Sequence, residues 1–375
     1  MDFKFPIISA DSHITEHPET YLNHIDPAFR DRAPHIRRDP QLGDLFVAEG
    51  MKPIKLGLVA AAGQRPEEIK PGGLFEDMHR SGWDPAGRLG DQARDGVSAE
   101  ILYPTVGMML CNLPDLAYKS ACFRAYNRWI QEYCAFAPSR LLGVGQTAAR
   151  SPREAVEDLV TIKEMGLKGI MMPGVPGEAD YDDPQWDLFW SAAAEMQMPV
   201  SFHILTTPSE RTRGSKLTQF LAIVRGVQDV LALLVFGGVF DRHPTLKVVC
   251  VEADAGWVPH FTYRMDHAYK RHRHHMAPGE DLERLPSEYF FENLYVTFQD
   301  DWTAFKQANE LNWKRLMWAN DFPHSDSTWP WSQEMLREHT GCLTEQQQQA
   351  ILGGNCAALY DIDTSLLPVH SEVAA

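Results

Sequence analysis

Residues 7–13 read IISADSH. The first four form a β-rich apolar run, and the run leads into a carboxylate and an imidazole, Asp11 and His13. A chain that alternates short strands with helices can fold as a doubly wound open sheet or as a closed barrel. The open sheet usually follows its first strand with a glycine-rich G-x-G-x-x-G loop that cradles a phosphate. Asp-Ser-His stands there instead, which favours a TIM-type (β/α)8 barrel. In that α/β fold the working side chains sit at the C-terminal ends of the strands.

Similar runs recur outward from this one, at Ala99–Tyr103, Leu141–Gln146, Gly169–Met172, Pro199–Phe202, Lys247–Val251, Leu294–Phe298 and Leu316–Trp318. With Ile7–Ala10 they make eight, the number that closes a parallel barrel. Segments of helical period separate them. Leu116–Phe136 carries apolar and aromatic residues at three- and four-residue steps. Pro152–Met165 opens with Ser151 as N-cap, Pro152 at the first helical position and Glu154 in the first turn. Pro184–Met196 opens the same way after Asp183. The first interval is far longer than the rest: residues 19–95, rich in Pro, Gly and charge, read as an insertion over the barrel mouth, partly loop and partly short helices. Thr344–Tyr360 reads as a C-terminal helical extension packed outside the barrel. No repeat or low-complexity linker divides the chain, so residues 1–363 are expected to form one domain and 364–375 a flexible tail.

A formal charge of −16 argues against nucleic acid, whose phosphates would be repelled. The opening MDFKFPIISADSH has no basic region before a long apolar one, so no secretory signal is expected. No run approaches the roughly 20 apolar residues of a membrane span, so no membrane association is expected. The six cysteines are scattered without a C-x-x-C pair and read as reduced thiols of a cytoplasmic protein. A homodimer is the base-rate expectation.

Read in order, the strand ends present Asp11 and His13 after the first strand, His203 after the fifth, Glu252 after the sixth and Asp321 after the eighth. Carboxylates and imidazoles are the ligand set of zinc, iron or manganese. Residues two apart in an extended chain point the same way, so Asp11 and His13 can face one centre. Each residue has an ordinary role open to it: an N-cap for Asp11, a satisfied core group for His203, a cap on the next element for Asp321. Four at the ends of strands in one barrel are harder to set aside. His267, His272, His274 and His275 stand among Lys270, Arg271 and Arg273 and read as a solvated basic face.

The stretches ADSHITE (10–16), SFH (201–203), GVFDRHPTLKVVCVEADAGWVPHF (238–261), LMWANDFPHSDSTWP (316–330) and GGNCAALY (353–360) together resemble the amidohydrolase-related family. This is the branch of the amidohydrolase superfamily that includes aminocarboxymuconate-semialdehyde decarboxylase and several aromatic-acid decarboxylases. The resemblance runs from about Ile7 to Tyr360 and implies a metal-dependent (β/α)8 barrel. By position, Asp11 and His13 match the first-strand ligands, although relatives often carry H-x-H or E-x-H there. His203 matches the fifth-strand ligand, and Asp321 the eighth-strand aspartate that binds metal and often accepts a proton from bound water.

One departure bears on the reaction. The decarboxylases typically carry a histidine in an A-H-G-G-like turn after the sixth strand, and here that turn reads Val251-Glu252-Ala253-Asp254. A carboxylate does not replace an imidazole that titrates near neutrality. Glu252 is open to three roles: a further metal ligand, a general base, or an acceptor for loop amides. Glu16 is a candidate for supporting a ligand or binding substrate, or is the acid of a local turn; His324 is a candidate for orienting substrate. The expectation is therefore hydrolysis of a small-molecule carbonyl compound (amide, ester, thioester or lactone) at one or two divalent ions, with Asp321 or Glu252 as base. The alternative is non-oxidative decarboxylation of an aromatic or unsaturated carboxylic acid, and a remote one is a barrel that binds without catalysis.

Overall fold

A computed structural model describes residues 3–208, 214–277 and 281–370. Its strands are β1 (Ile8–His13), β2 (His35–Asp39), β3 (Gly43–Val47), β4 (Ile54–Lys55), β5 (Ala99–Tyr103), β6 (Leu141–Gln146), β7 (Gly169–Met172), β8 (Val200–His203), β9 (Val248–Val251), β10 (Leu294–Phe298) and β11 (Leu316–Trp318). Eight of them form one sheet in the order β1-β5-β6-β7-β8-β9-β10-β11, and every paired neighbour is parallel. Sheet order that follows chain order, with helical crossovers, is the topology of the TIM barrel. The strands are buried throughout, as parallel strands with both faces covered must be.

Local chemistry sets the crossover helices where expected. Leu116–Cys134 starts after Asp115, whose side chain accepts from Tyr118 N. Pro152–Glu164 starts after Ser151, which accepts from Glu154 N. After Asp183 the chain makes a 3-10 turn, Pro184–Trp186, before the α-helix Asp187–Glu195.

The seam between β1 and β11 is closed differently from the other joints. Among the described residues no ladder pairs these strands; residues of β1 bond instead to residues just past β11. Asp321 N donates to Asp11 O (3.1 Å) and His13 N to Phe322 O (2.8 Å). Ser9 Oγ and Ser12 Oγ both donate to Asn320 Oδ1, at 3.0 and 2.8 Å. Residues three apart reach one atom because β1 carries an extra residue between Ser9 and Ser12, a bulge that turns the side chains there. Arg88 locks the seam from outside. Its guanidinium donates to His13 O (2.7 Å) and Phe322 O (3.1 Å) and grips Glu100 of β5 with two bonds, at 2.7 and 3.0 Å. Arg88 and Glu100 are both fully buried.

Residues 19–95 differ from a simple cover over the mouth. They hold the antiparallel sheet β2-β3-β4, whose segment meets the loop after β11 through Ala62 N to Pro323 O (3.1 Å) and Ser325 N to Leu58 O (2.9 Å). They also hold helix Pro85–Asp95, capped by Asp84 and ended by Gly96 at φ 71°. That helix carries Arg88 and is the crossover between β1 and β5. The segment therefore contains part of the barrel wall.

The C-terminal extension is located more closely, and the expected tail is corrected. Residues 344–360 lie across the barrel floor, where the strands begin. Gly353 packs so close to Pro6 O that a Cβ would stand 2.7 Å from it, and Tyr360 meets Tyr103 inside the barrel, hydroxyl to hydroxyl at 3.2 Å. Residues 364–370 are docked: Leu367 is buried and Ser98 Oγ donates to Pro368 O (2.7 Å). The rest of the expected tail, 371–375, lies outside the described residues.

The stretch Lys216–Phe236 is, by length and composition, apolar enough to cross a membrane (mean hydropathy 1.7 over its best window), contrary to the reading that no run approaches a span. A turn at residues 223–224 divides it. Its second part, Arg225–Phe236, packs Val227, Val230, Leu231, Leu234 and Val235 inward as a barrel helix.

Removing one partner of a fully buried ion pair leaves the other uncompensated, at a cost of about 3–5 kcal/mol. Arg88→Met is expected to lose that much in urea unfolding, and Arg88→Met with Glu100→Met to recover part of it.

Candidate metal centre

The C-terminal ends of β1 and β8 and the turns just past β9 and β11 deliver side chains to one point at the barrel mouth. His13 Nε2 lies 3.5 Å from Asp11 Oδ1, 3.5 Å from Glu252 Oε2 and 3.3 Å from Asp321 Oδ1. His203 Nε2 lies 3.6 Å from Asp11 Oδ1 and 3.3 Å from Glu252 Oε2. Asp11, His13, His203 and Asp321 are fully buried. Ligand atoms about 2.0–2.2 Å from one ion stand roughly 3–3.5 Å from one another, so the spacing fits a shared cation. Two residues reach the centre through strained backbone: Glu252 (φ 57°) and Asp321 (φ 52°) hold left-handed conformations that cost non-glycine residues of order 1 kcal/mol.

The imidazole protonation states sharpen the fit. His13 Nδ1 is 2.8 Å from Pro104 O and His203 Nδ1 is 3.1 Å from Ile204 O. A carbonyl only accepts, so both Nδ1 atoms carry hydrogen, as histidine ligands commonly do toward a carbonyl. Burial, then the neighbouring His324 and His203, hold His13 well below its ordinary value and therefore neutral. Its Nε2 is a bare lone pair facing carboxylates. Both oxygens of Asp11 and of Asp321, Glu252 Oε2, and Nε2 of His13 and His203 are buried without a hydrogen-bond partner. One orphaned buried acceptor is costly, and a converging set requires a positive charge. Without one, burial and the charges of Asp321 and Asp11 push Glu252 well above the carboxylate range. Burial, Asp11 and Asp326 do the same to Asp321.

His324 joins this centre. Its ring stacks on His13 (centroids 3.9 Å apart), and Nδ1 is 3.0 Å from Asp321 Oδ1, though poorly aligned for a hydrogen bond. Its Nε2 is 3.0 Å from Thr105 Oγ1, whose own hydrogen goes to Ile14 O at 2.5 Å. Thr105 can only accept from His324, so the hydrogen is on Nε2 and Nδ1 faces the carboxylates. Burial lowers His324 to about 4, which keeps it neutral at pH 7. Two overlapping sets of ligand atoms result: Asp11, His13, His203 and Glu252, and His13, Glu252, Asp321 and His324.

Glu16 is not among the converging residues. Its oxygens accept from the N–H groups of Thr105, Val106 and Gly107 at 3.0–3.1 Å, so it anchors the loop after β5 and supports Thr105. Burial raises it to about 7 against those bonds. Residues not singled out in the sequence hold the centre together: Arg88, Glu100, Thr105, Asn320 and Asp95. The readable signal was Glu100, a charge inside the apolar run AEILY. Asn320 Nδ2 donates to Asp95 Oδ2 (3.0 Å), which also accepts from Ser332 Oγ (2.6 Å).

Residues 20–362 match the amidohydrolase family. The chain belongs to it. It is 25% identical over 303 residues to 2-amino-3-carboxymuconate-6-semialdehyde decarboxylase of Dictyostelium discoideum, covering 78% of this chain and 80% of that one. A solved amidohydrolase from Mycobacterium avium subsp. paratuberculosis K-10 superposes with a TM-score of 0.77 at 20% identity, over 95% of this chain and 99% of that one. So does 5-carboxyvanillate decarboxylase from Novosphingobium aromaticivorans DSM 12444, solved with manganese and 4-hydroxy-3-methoxy-5-nitrobenzoic acid, with a TM-score of 0.67 at 17% identity over 96% of each chain. These likenesses agree with the barrel, and this family member is an enzyme of the amidohydrolase superfamily.

Asp95 supplies a pH test of the seam beneath the site. Burial lifts it to about 6 against the donors Ser332 and Asn320, whereas the unfolded carboxyl titrates near about 3.9. Between those values the folded state keeps a proton the unfolded state has released, so stability falls as pH rises through the window and levels off above it. The stability of the native chain minus that of Asp95→Asn should shrink by ~1–3 kcal/mol from about pH 4 to about pH 7, read by urea unfolding.

Proposed function

We propose that the protein is a metal-dependent carboxy-lyase that removes carbon dioxide from an aromatic or unsaturated carboxylic acid. The observation that carries this reading is His324. The turn after β9 lacks the imidazole of the resembled decarboxylases, and His324 from the loop after β11 brings one to the same centre, stacked on His13 and 3.0 Å from Asp321. The named relative, a decarboxylase at 25% identity, supports it.

The residues that would hold the ion are Asp11, His13, His203 and Asp321, with Glu252 beside them. A divalent ion there would supply a Lewis acid that stabilises negative charge on the substrate. The chain does the rest. Thr105 fixes the His324 tautomer, so Nδ1 presents a bare lone pair beside Asp321 Oδ1 that can take up a proton from solvent. The bond to the carboxyl carbon breaks, its electron pair stays on the substrate carbon, and that carbon takes the proton from His324 Nδ1 as carbon dioxide leaves. Water restores the proton. Burial of Asp321 and His324 excludes solvent, which strengthens each electrostatic contact.

Hydrolysis is the second reading, favoured by Glu252. Its side chain is 14% exposed while Asp11 and Asp321 are sealed. It is thus the carboxylate of this set that solvent reaches, and a base for a water attacking a carbonyl. Headspace carbon dioxide measured over a panel of hydroxybenzoates and unsaturated acids separates the two. Release of carbon dioxide with formation of the decarboxylated product supports the lyase. Acid formation from esters or amides with no carbon dioxide from any acid overturns it.

Two variants test the ligand roles. His203→Ala is expected to purify with less than about a tenth of the native metal content by elemental analysis, since losing a ligand costs several kcal/mol of affinity. Asp321→Asn is expected to retain most of the metal and to lose at least about a hundredfold in kcat, the usual scale of proton-transfer catalysis.

A further inference from the structure

A cavity of about 830 Å³ lies on the barrel floor, at the end of the strands away from the metal centre. Its lining includes Lys168 just before β7, Pro199 just before β8, Lys247 just before β9 and Tyr295 at the beginning of β10. Pro199 and His203 are four residues apart along β8, roughly 13 Å at the rise of an extended chain. Barrels of this type carry their chemistry at the mouth, so a floor cavity large enough for a small molecule has no part in the centre described above.

The lining combines an apolar wall with positive charge. Leu167, Met198, Tyr295 and Tyr360 are buried side chains of that wall. Lys163, Lys168 and Lys247 line the same cavity, and each ammonium is tethered to a backbone carbonyl of another lining residue. Lys163 Nζ donates to Met196 O (2.5 Å), Lys168 Nζ to Asp361 O (3.2 Å) and Lys247 Nζ to Glu292 O (3.2 Å). Among the described residues none of the three has a carboxylate within 4.0 Å. An ammonium has three hydrogens, and one bond to a neutral oxygen leaves two to donate. The acids of the lining are Glu292, which pairs with Arg284, and Asp361.

Register brings two of these lysines to one place. Val200 of β8 lies between Ile170 of β7 and Val248 of β9. Lys168 and Lys247 therefore start from strands on either side of β8, about 10 Å apart at the usual strand spacing, and their long side chains can meet one anion. Lys247 is also crowded by like charge: burial, then Arg315, hold it below the ordinary lysine value against the opposing charge of Glu292. The chain as a whole carries a formal charge of −16, so cations gathered without carboxylate partners around an apolar wall set this surface apart.

We propose that the floor cavity is a second binding site, for an organic anion whose apolar body rests on Leu167, Met198, Tyr295 and Tyr360 and whose carboxylate or phosphate group is taken by Lys168 and Lys247, with Lys163 beside them. The site does not depend on the carboxy-lyase reading, since no residue of the mouth belongs to it. An uncharged body would gain only apolar burial there, and a bare inorganic anion only the charge, so the site discriminates in favour of a molecule with both.

The test is calorimetric titration of manganese-loaded protein at low salt with 2-naphthoate, 2-naphthyl phosphate, the uncharged 2-naphthamide and inorganic phosphate. The native protein is expected to bind at least one naphthyl anion about tenfold or more tightly than the amide and than inorganic phosphate, and to lose part of that preference as salt is raised. The tighter of the two anions tells a carboxylate ligand from a phosphate one. Lys168→Gln with Lys247→Gln should bring anion and amide within about twofold at unchanged manganese content, and the corresponding pair of arginine substitutions should keep most of the preference. Glu292→Gln, which removes a carboxylate from the lining, should tighten the anion. Lys163→Gln with Lys168→Gln replaces the first pair if that pair melts well below the native protein. No preference for either anion in the native protein, or a preference that survives the glutamine pair and so belongs to another place such as the metal centre, overturns the proposal.

Discussion

Three carboxylates and two imidazole nitrogens are turned toward one another at the barrel mouth, 3.3–3.6 Å apart where an imidazole meets a carboxylate, with no donor among them. In a buried centre this arrangement is self-repelling, and the surrounding structure is organised to hold it. Backbone carbonyls of Pro104 and Ile204 take the Nδ1 hydrogens and aim Nε2 inward. Left-handed backbone at Glu252 and Asp321 turns those carboxylates in. Arg88 ties His13 O and Phe322 O across the seam where no strand ladder does so. The strain and the unpaired charge are coherent only if a cation offsets them.

The barrel was legible because its signals are local. Each strand is a short apolar run, and a run buried on both faces needs no long-range information to be recognised. The ligands Asp11, His13, His203 and Asp321 were legible as strand-end residues once the fold was assumed. The parts that escaped depend on contacts distant in sequence. Arg88 is an ordinary arginine in a polar helix until it meets Glu100, His13 O and Phe322 O. Glu16 sits three residues after His13 and looked like a companion of the site, yet its oxygens face the amides of residues 105–107. The bulge in β1 is likewise invisible without its partner strand, although it is what lets Ser9 and Ser12 both reach Asn320.

The same limit explains what the sequence left open about two segments. Helical period shows that residues 344–360 bury a face, but not which surface receives it. The close approach at Gly353 and the hydroxyl contact of Tyr360 with Tyr103 place that segment on the barrel floor. Short helices are expected within residues 19–95, but the sequence does not show that Pro85–Asp95, with its Asp-Pro start and glycine stop, is the crossover from β1 to β5. His324 is the residue whose meaning changed most. In sequence it is a candidate for orienting substrate in the loop NDFPHSDS, and in the fold its ring stacks on His13 with Nδ1 3.0 Å from Asp321 Oδ1.

A cation at this centre holds the arrangement together, and the most direct measurement is the thermal midpoint of metal-stripped protein as free manganese is raised. Binding to the native state alone stabilises it by RT ln(1 + [L]/Kd). The midpoint should therefore climb steadily with the logarithm of metal concentration, with one or two ions counted per chain, and His203→Ala should lose most of that climb. A midpoint that does not move, in a stripped chain that keeps its fold, would contradict the claim that these five side chains exist to hold a metal.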